Sequence, residues 1–147
     1  MIEVVNRQRH RRMSAAERNA WRDFAEKALR VINLGNSEDI AATIVFVGDR
    51  RIQKLNKNYR GQGKITDVLS FPSEQTAFEL EAGVNLGDVV ISIPQAERQS
   101  IEHNLSFERE VRQLILHGLL HLSGYDHEID DGRMNETELR LRRRLRI

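Results

Sequence analysis

The chain has 147 residues, 39% hydrophobic and 31% charged, with a net charge of +1, a balance that suits one soluble compact domain able to bury its own core. It contains no cysteine, which excludes disulfides and every zinc finger or ribbon built on thiolates. No apolar run reaches the ~18 residues of a membrane span, and the N-terminal MIEVVNRQRHRR lacks the apolar stretch of a signal peptide, so a cytoplasmic protein is expected.

Ile2–Asn6 is a short apolar start that reads as an edge strand. Ser14-Ala-Ala-Glu17 has the form of a capping box, the serine accepting from a backbone N–H and the glutamate reaching back. Trp21, Phe24, Ala25, Ala28, Leu29 and Ile32 then follow at helical spacing, up to a stop near Gly35. Ile40–Val47 is rich in β-branched residues and predicts a strand. Asp49 is a candidate cap for a short helix holding Ile52 and Leu55.

Two further strands are predicted, one over 64–71, stopped by Pro72, and one over 88–93. Residues 73–86 show no clear period and read as a loop. Pro94 suits the first turn of the next helix. Ser106 opens a helix with Phe107, Val111, Leu114, Ile115, Gly118 and Leu122 on one face, and Gly124 is its natural stop. A last helix over about 131–146 buries Met134, Leu141 and Leu145 and exposes arginines. Strands interspersed with helices predict one domain over 1–147, a small mixed sheet packed with about five or six helices.

Charge is segregated along the chain. Arg7, Arg9, Arg11 and Arg12 crowd one end, Arg140, Arg142, Arg143, Arg144 and Arg146 the other, and 126–138 between them is acidic. The two basic ends read either as a patch for a polyanion or as solvated termini. Aromatic residues are only 5% of the chain, and no stacking platform for bases is evident.

Three of the five histidines lie in HGLLHLSGYDH, residues 117–127. His117 and His121 stand one helical turn apart, with Cβ atoms about 5–6 Å from each other, so both imidazoles can grip one ion. Gly124 lets the chain turn back and bring in His127 as the third ligand, while Gly118 removes bulk beside the pair. Neutral imidazoles suit zinc, and also nickel, copper or iron. Zinc is the default, because three histidines and an open fourth position are a known catalytic arrangement, one that lowers the pKa of a water there toward ~7. His10 and His103 stand alone and read as non-ligands. Asp126 and Glu128 flank His127 either as orienters of an imidazole or as solvated loop carboxylates. Position 118 is glycine, so the glutamate that serves as general base in H-E-x-x-H peptidases is missing.

The 117–127 segment resembles the H-G-x-L-H-L-x-G-Y-D-H signature of the YbeY family. Tyr59-Arg60-Gly61 with TDVLSFP over 66–72, and LGDVVIS over 86–92, resemble two further blocks of that family, so the likeness covers about 41–138. The resemblance implies a single α+β domain with a four-stranded mixed sheet, the metal-binding helix lying C-terminal to the sheet. It implies a bacterial metal-dependent, single-strand-specific endoribonuclease of ribosomal RNA maturation and ribosome quality control. Its expected ligands are zinc (or nickel) at His117, His121 and His127, and its partners ribosomal RNA and the small ribosomal subunit, not DNA or membrane.

The resemblance also carries a role in RNA cleavage onto Arg60, which with His117 forms the catalytic pair of candidates. A guanidinium can clamp a phosphate through two parallel hydrogen bonds, and the glycines at 61 and 63 would let a ligand approach the backbone. Two other readings compete. One is a zinc hydrolase of a peptide or small ester. The other is a non-catalytic ribosome-assembly factor whose zinc serves the fold.

Overall fold

Among the described residues four strands form one sheet. The computed structural model describes residues 1–32, 40–64, 66–124 and 132–147. In it β1 (Ile2–Asn6), β2 (Ile40–Val47), β3 (Val68–Pro72) and β4 (Val84–Ser92) lie in the order β1-β2-β4-β3. β1, β2 and β4 run parallel, and β3 closes the far edge antiparallel to β4. The helices are α1 (Ala15–Ile32), α2 (Asp49–Arg60), α3 (Ala77–Glu81), α4 (Ile93–Glu102), α5 (Phe107–Leu122) and α6 (Arg133–Leu145). The mixed sheet and helix number agree with the sequence reading, and β1 is at an edge as expected.

The pleat sorts the strand residues between two cores. Ile44 and Phe46 of β2 and Val89 and Ile91 of β4 join Trp21, Ala25 and Leu29 of α1 and Val111, Ile115 and Leu119 of α5 in the larger core. Val47, Leu69 and Val90 point the other way and close over Ile52 of α2. The sheet therefore has α1 and α5 on one face and α2 on the other. Trp21 meets Phe46 with ring centroids 5.4 Å apart and Phe107 edge-on at 5.9 Å, pinning both helices to the sheet.

The predicted caps form at α1, where Glu17 N donates to Ser14 Oγ at 3.1 Å and Ser14 N to Glu17 Oε1 at 3.3 Å. Ser106 accepts from Arg109 N at the start of α5, and Pro94 stands in the first turn of α4. Three boundaries differ. Gly48, not Asp49, is the N-cap of α2 and makes no side-chain cap. The Asp49 carboxylate instead accepts from Ser92 Oγ at 2.9 Å and from Arg98 at 2.8 Å, tying α2 to α4. β3 begins at Val68 and includes Pro72, which an edge strand tolerates because its missing N–H interrupts no inner ladder.

The segment read as a loop over 73–86 holds α3, with a Thr76–Glu79 capping box, and the start of β4. The five residues of α3 are too few to show a period. The first residues of β4 are exposed and show no apolar run; pairing of Ile40 with Val84 brings them into the sheet. Among the described residues no helix is long and apolar enough to cross a membrane.

Candidate metal centre

α5 is held against the sheet by its apolar stripe, which leaves His117 and His121 half-buried one turn apart. Their ring centroids are 6.4 Å apart with planes at 80°. Side chains so placed on one helix face can both reach one ion. Gly118, between the two histidines in sequence, also makes room for the sheet. A Cβ at 118 would lie 2.4 Å from Val89 Cγ1, so the glycine lets α5 press onto β4. Its carbonyl accepts from Ser70 Oγ of β3 at 3.2 Å.

A carboxylate that no sequence motif marks completes the described part of the site. Met134, Glu138, Leu141 and Leu145 are the buried residues of α6, a stripe that is apolar except for Glu138, which is only 7% exposed. His117 Nδ1 lies 2.6 Å from Glu138 Oε1, and Arg142, one turn further along α6, donates to Oε2. Burial pushes the Glu138 carboxyl up, but the hydrogen bond and charge of His117 and the charge of Arg142 outweigh it and hold the group below the usual carboxylate range. An ionised Glu138 accepts Nδ1–H, so Nε2 is the ring nitrogen that would face a metal ion. A histidine that binds metal characteristically donates its other ring N–H to such a carboxylate, so the donor set fits a metal ion. His117 and Glu138 also line an open cavity of about 430 Å³ with Gly132, Met134 and Asn135.

Among the described residues no group of three His, Cys, Asp or Glu side chains is assembled that could hold an ion. His127, Asp126 and Glu128 lie outside the described residues. His10 and His103 are engaged elsewhere, at 2.6 Å from Glu97 and 2.7 Å from Glu110 respectively.

Arg60 is the last residue of α2 and is exposed; Gly61, at φ 70°, is the left-handed cap that follows it. It therefore sits on a helix end rather than within a glycine-flanked loop. α2 and α5 pack on opposite faces of the sheet, and β3, like β4, touches both. Its Ser70 bonds Gly118, and its Phe71 meets Tyr59 edge-on at 5.1 Å. Tyr59 is 69% exposed beside Arg60, an aromatic face that composition alone does not reveal.

The arginine-rich ends are not uniformly available to a polyanion. Arg11 stacks over Phe107 at 3.9 Å and pairs with Glu97, and Arg142 turns inward to Glu138. Arg140, Arg143, Arg144 and Arg146 remain exposed.

A family model described as "Endoribonuclease YbeY" matches residues 3–146. Two proteins named Endoribonuclease YbeY are similar to this chain. The one from Desulforamulus reducens is 47% identical over 118 residues, covering 77% of each chain. The one from Thermodesulfovibrio yellowstonii is 33% identical over 138 residues, covering 88% of this chain and 86% of its own. A Thermotoga maritima protein whose structure was solved in solution superposes with a TM-score of 0.61 at 26% identity, covering 95% of this chain and 85% of its own.

Proposed function

This chain belongs to the YbeY family, and on that premise we propose that it is a single-strand-specific, metal-dependent endoribonuclease acting in the cytoplasm on ribosomal RNA, in its maturation and in quality control of the small ribosomal subunit. The observation that carries the metal half of this reading is the bond from His117 to the buried Glu138. His117, His121 and His127 would hold the ion, with zinc preferred over nickel for a site of neutral imidazoles and no thiolate. When bound, such an ion supplies Lewis-acid polarisation of a phosphoryl oxygen and a nucleophile near neutral pH.

The protein's own groups do the rest. Glu138 fixes the tautomer and ring orientation of His117, and Arg142 holds Glu138 in place. Arg60, fully charged and forked, binds a phosphate oxygen pair and stabilises the negative charge that grows as the phosphodiester is attacked. The names of the relatives support the RNA substrate. The peptidase reading loses ground to Val89: position 118 has no room even for a Cβ, so the glutamate of the H-E-x-x-H mechanism cannot be accommodated there.

The test is cleavage of ribosomal RNA by the zinc-loaded protein, mapped beside Arg60→Ala. The variant is expected to cleave on the order of 10²–10³-fold more slowly with its metal content unchanged. Equal cleavage by both proteins would remove Arg60 from the reaction. Absence of cleavage by either would favour an assembly factor whose metal serves the fold.

Glu138 makes a separate prediction, read on the metal rather than on RNA. Glu138→Ala is expected to weaken zinc affinity about 10–100-fold in chelator competition. Glu138→Gln, which still accepts a hydrogen bond, retains most of the affinity. Indistinguishable affinities for all three proteins would show that the carboxylate does not orient His117.

A further inference from the structure

The expected arginine-rich ends are not where positive charge is most ordered. α2, DRRIQKLNKNYR, carries Arg50, Arg51, Lys54, Lys57 and Arg60 against the single acid Asp49, in a chain whose net charge is only +1. Asp49 is already committed to Arg98 and Ser92. Among the described residues no carboxylate pairs with Arg50, Arg51, Lys54 or Lys57, whereas Arg11, Arg98 and Arg142 each have one.

Arg50, Lys54 and Lys57 line one side of the helix and, with Gln53 and Gly63, form an open cleft of about 360 Å³. Gln53 Nε2 donates to the Gly63 carbonyl at 2.9 Å and holds the segment after the helix against the cleft. Like charges one turn apart destabilise a helix, and no carboxylate among the described residues offsets them here. The three cations do not converge on a point. At ~1.5 Å per residue, Arg50 to Arg60 spans roughly 15 Å along the axis. Such a row suits a chain of phosphates better than a single anion.

We propose that this cleft is a track for the sugar–phosphate backbone of single-stranded RNA, which it delivers along α2 to Arg60. The proposal rests on the endoribonuclease reading above and adds to it the surface that holds the strand. Binding there is electrostatic and indifferent to sequence, because the cations meet phosphates and Gln53 is committed to the Gly63 carbonyl.

The test measures binding of a single-stranded 2′-O-methyl RNA oligonucleotide to the full zinc-loaded chain by fluorescence anisotropy over a salt series. The variant is Arg50→Gln/Lys54→Gln/Lys57→Gln. The charge-preserving Arg50→Lys/Lys54→Arg/Lys57→Arg is the control, and Arg140→Gln/Arg143→Gln/Arg144→Gln is a matched removal on α6. The wild type and the control share one slope of log affinity against log salt. The α2 variant has a slope shallower by about 2, near 0.7 for each of three phosphates that it no longer neutralises, with at least tenfold weaker binding at low salt. All the substituted side chains are exposed, so circular dichroism confirms the folds are equal.

An α2 variant with the wild-type slope overturns the track, and decisively so if the α6 variant loses slope instead. In that case a wild type that still cleaves RNA leaves the endoribonuclease reading standing. A wild type that neither binds nor cleaves RNA takes both down.

Discussion

His121→Ala is expected to abolish retention of the metal ion and to lower RNA cleavage by roughly 10³-fold, the equivalent of the several kcal/mol that a bound ion supplies to a phosphoryl transition state. The loss should be local. His121 is half-buried near the C-terminal end of α5, and alanine is a better helix former than histidine, so the substitution breaks no core contact of the larger cluster. A ligand that binds only the folded state raises stability by mass action. The variant's melting temperature should therefore match that of the wild type in chelator and lie below that of the zinc-loaded wild type. Metal analysis after gel filtration, melting curves and an RNA cleavage gel on one preparation decide the matter. Stoichiometric metal in the variant would mean that His121 is not a ligand.

Gly118→Ala should destabilise the protein, although the same change in most helices stabilises it by about 1 kcal/mol. The reversal comes from Val89. The new Cβ would stand 2.4, 3.0 and 3.2 Å from three carbons of a side chain that is fully buried in a central strand. Val89 has little space into which to turn, because it shares its cluster with Ile44, Ile91 and Ile115. Overpacking of this kind costs about 1–3 kcal/mol. At ~2–4 °C per kcal/mol for a domain of about this size, the melting temperature falls by several degrees. The helix is also pushed off the sheet, which shifts the flanking histidines, so zinc affinity falls with stability. Val89→Ala opens the missing space, and the double variant should be more stable than the two single losses added together, with a coupling of about 0.5–3 kcal/mol. A Gly118→Ala protein as stable as the wild type would show that α5 does not rest on Val89.

Much of this fold follows from local signals. The capping box at Ser14 and Glu17, the strand Ile40–Val47, Pro94 in the first turn of α4 and the Ser106 cap all form as their residues dictate. The histidine pair is legible for the same reason, since a four-residue spacing on a helix fixes a juxtaposition without tertiary information. Glu138 is different. It is 21 residues from His117, and nothing local joins them. Its signal in the sequence is an anomaly, one carboxylate among Met134, Leu141 and Leu145 on a buried stripe, since a buried acid requires a partner.

Gly118 is legible as a missing side chain, but only the packing of α5 on β4 shows which neighbour needs the space. Asp49 has the composition of a cap and the position of one, yet Arg98 and Ser92, more than 40 residues away, claim its carboxylate. The basic side of α2 is written in the sequence at helical spacing. The arginines at the two ends mask it because they are denser along the chain, and density along the chain is not density on a surface.

The proposed function requires that a metal ion held by this chain drive cleavage of single-stranded RNA. The most direct measurement strips the protein with a chelator, confirms by metal analysis that it is empty, and titrates zinc back while following cleavage of single-stranded and duplex ribosomal RNA fragments. No cleavage by the stripped protein, recovery that saturates at one zinc per chain, and a strong preference for the single strand are the expected results. Undiminished cleavage by the stripped protein, or none at any zinc level with a folded chain, would contradict the proposed function.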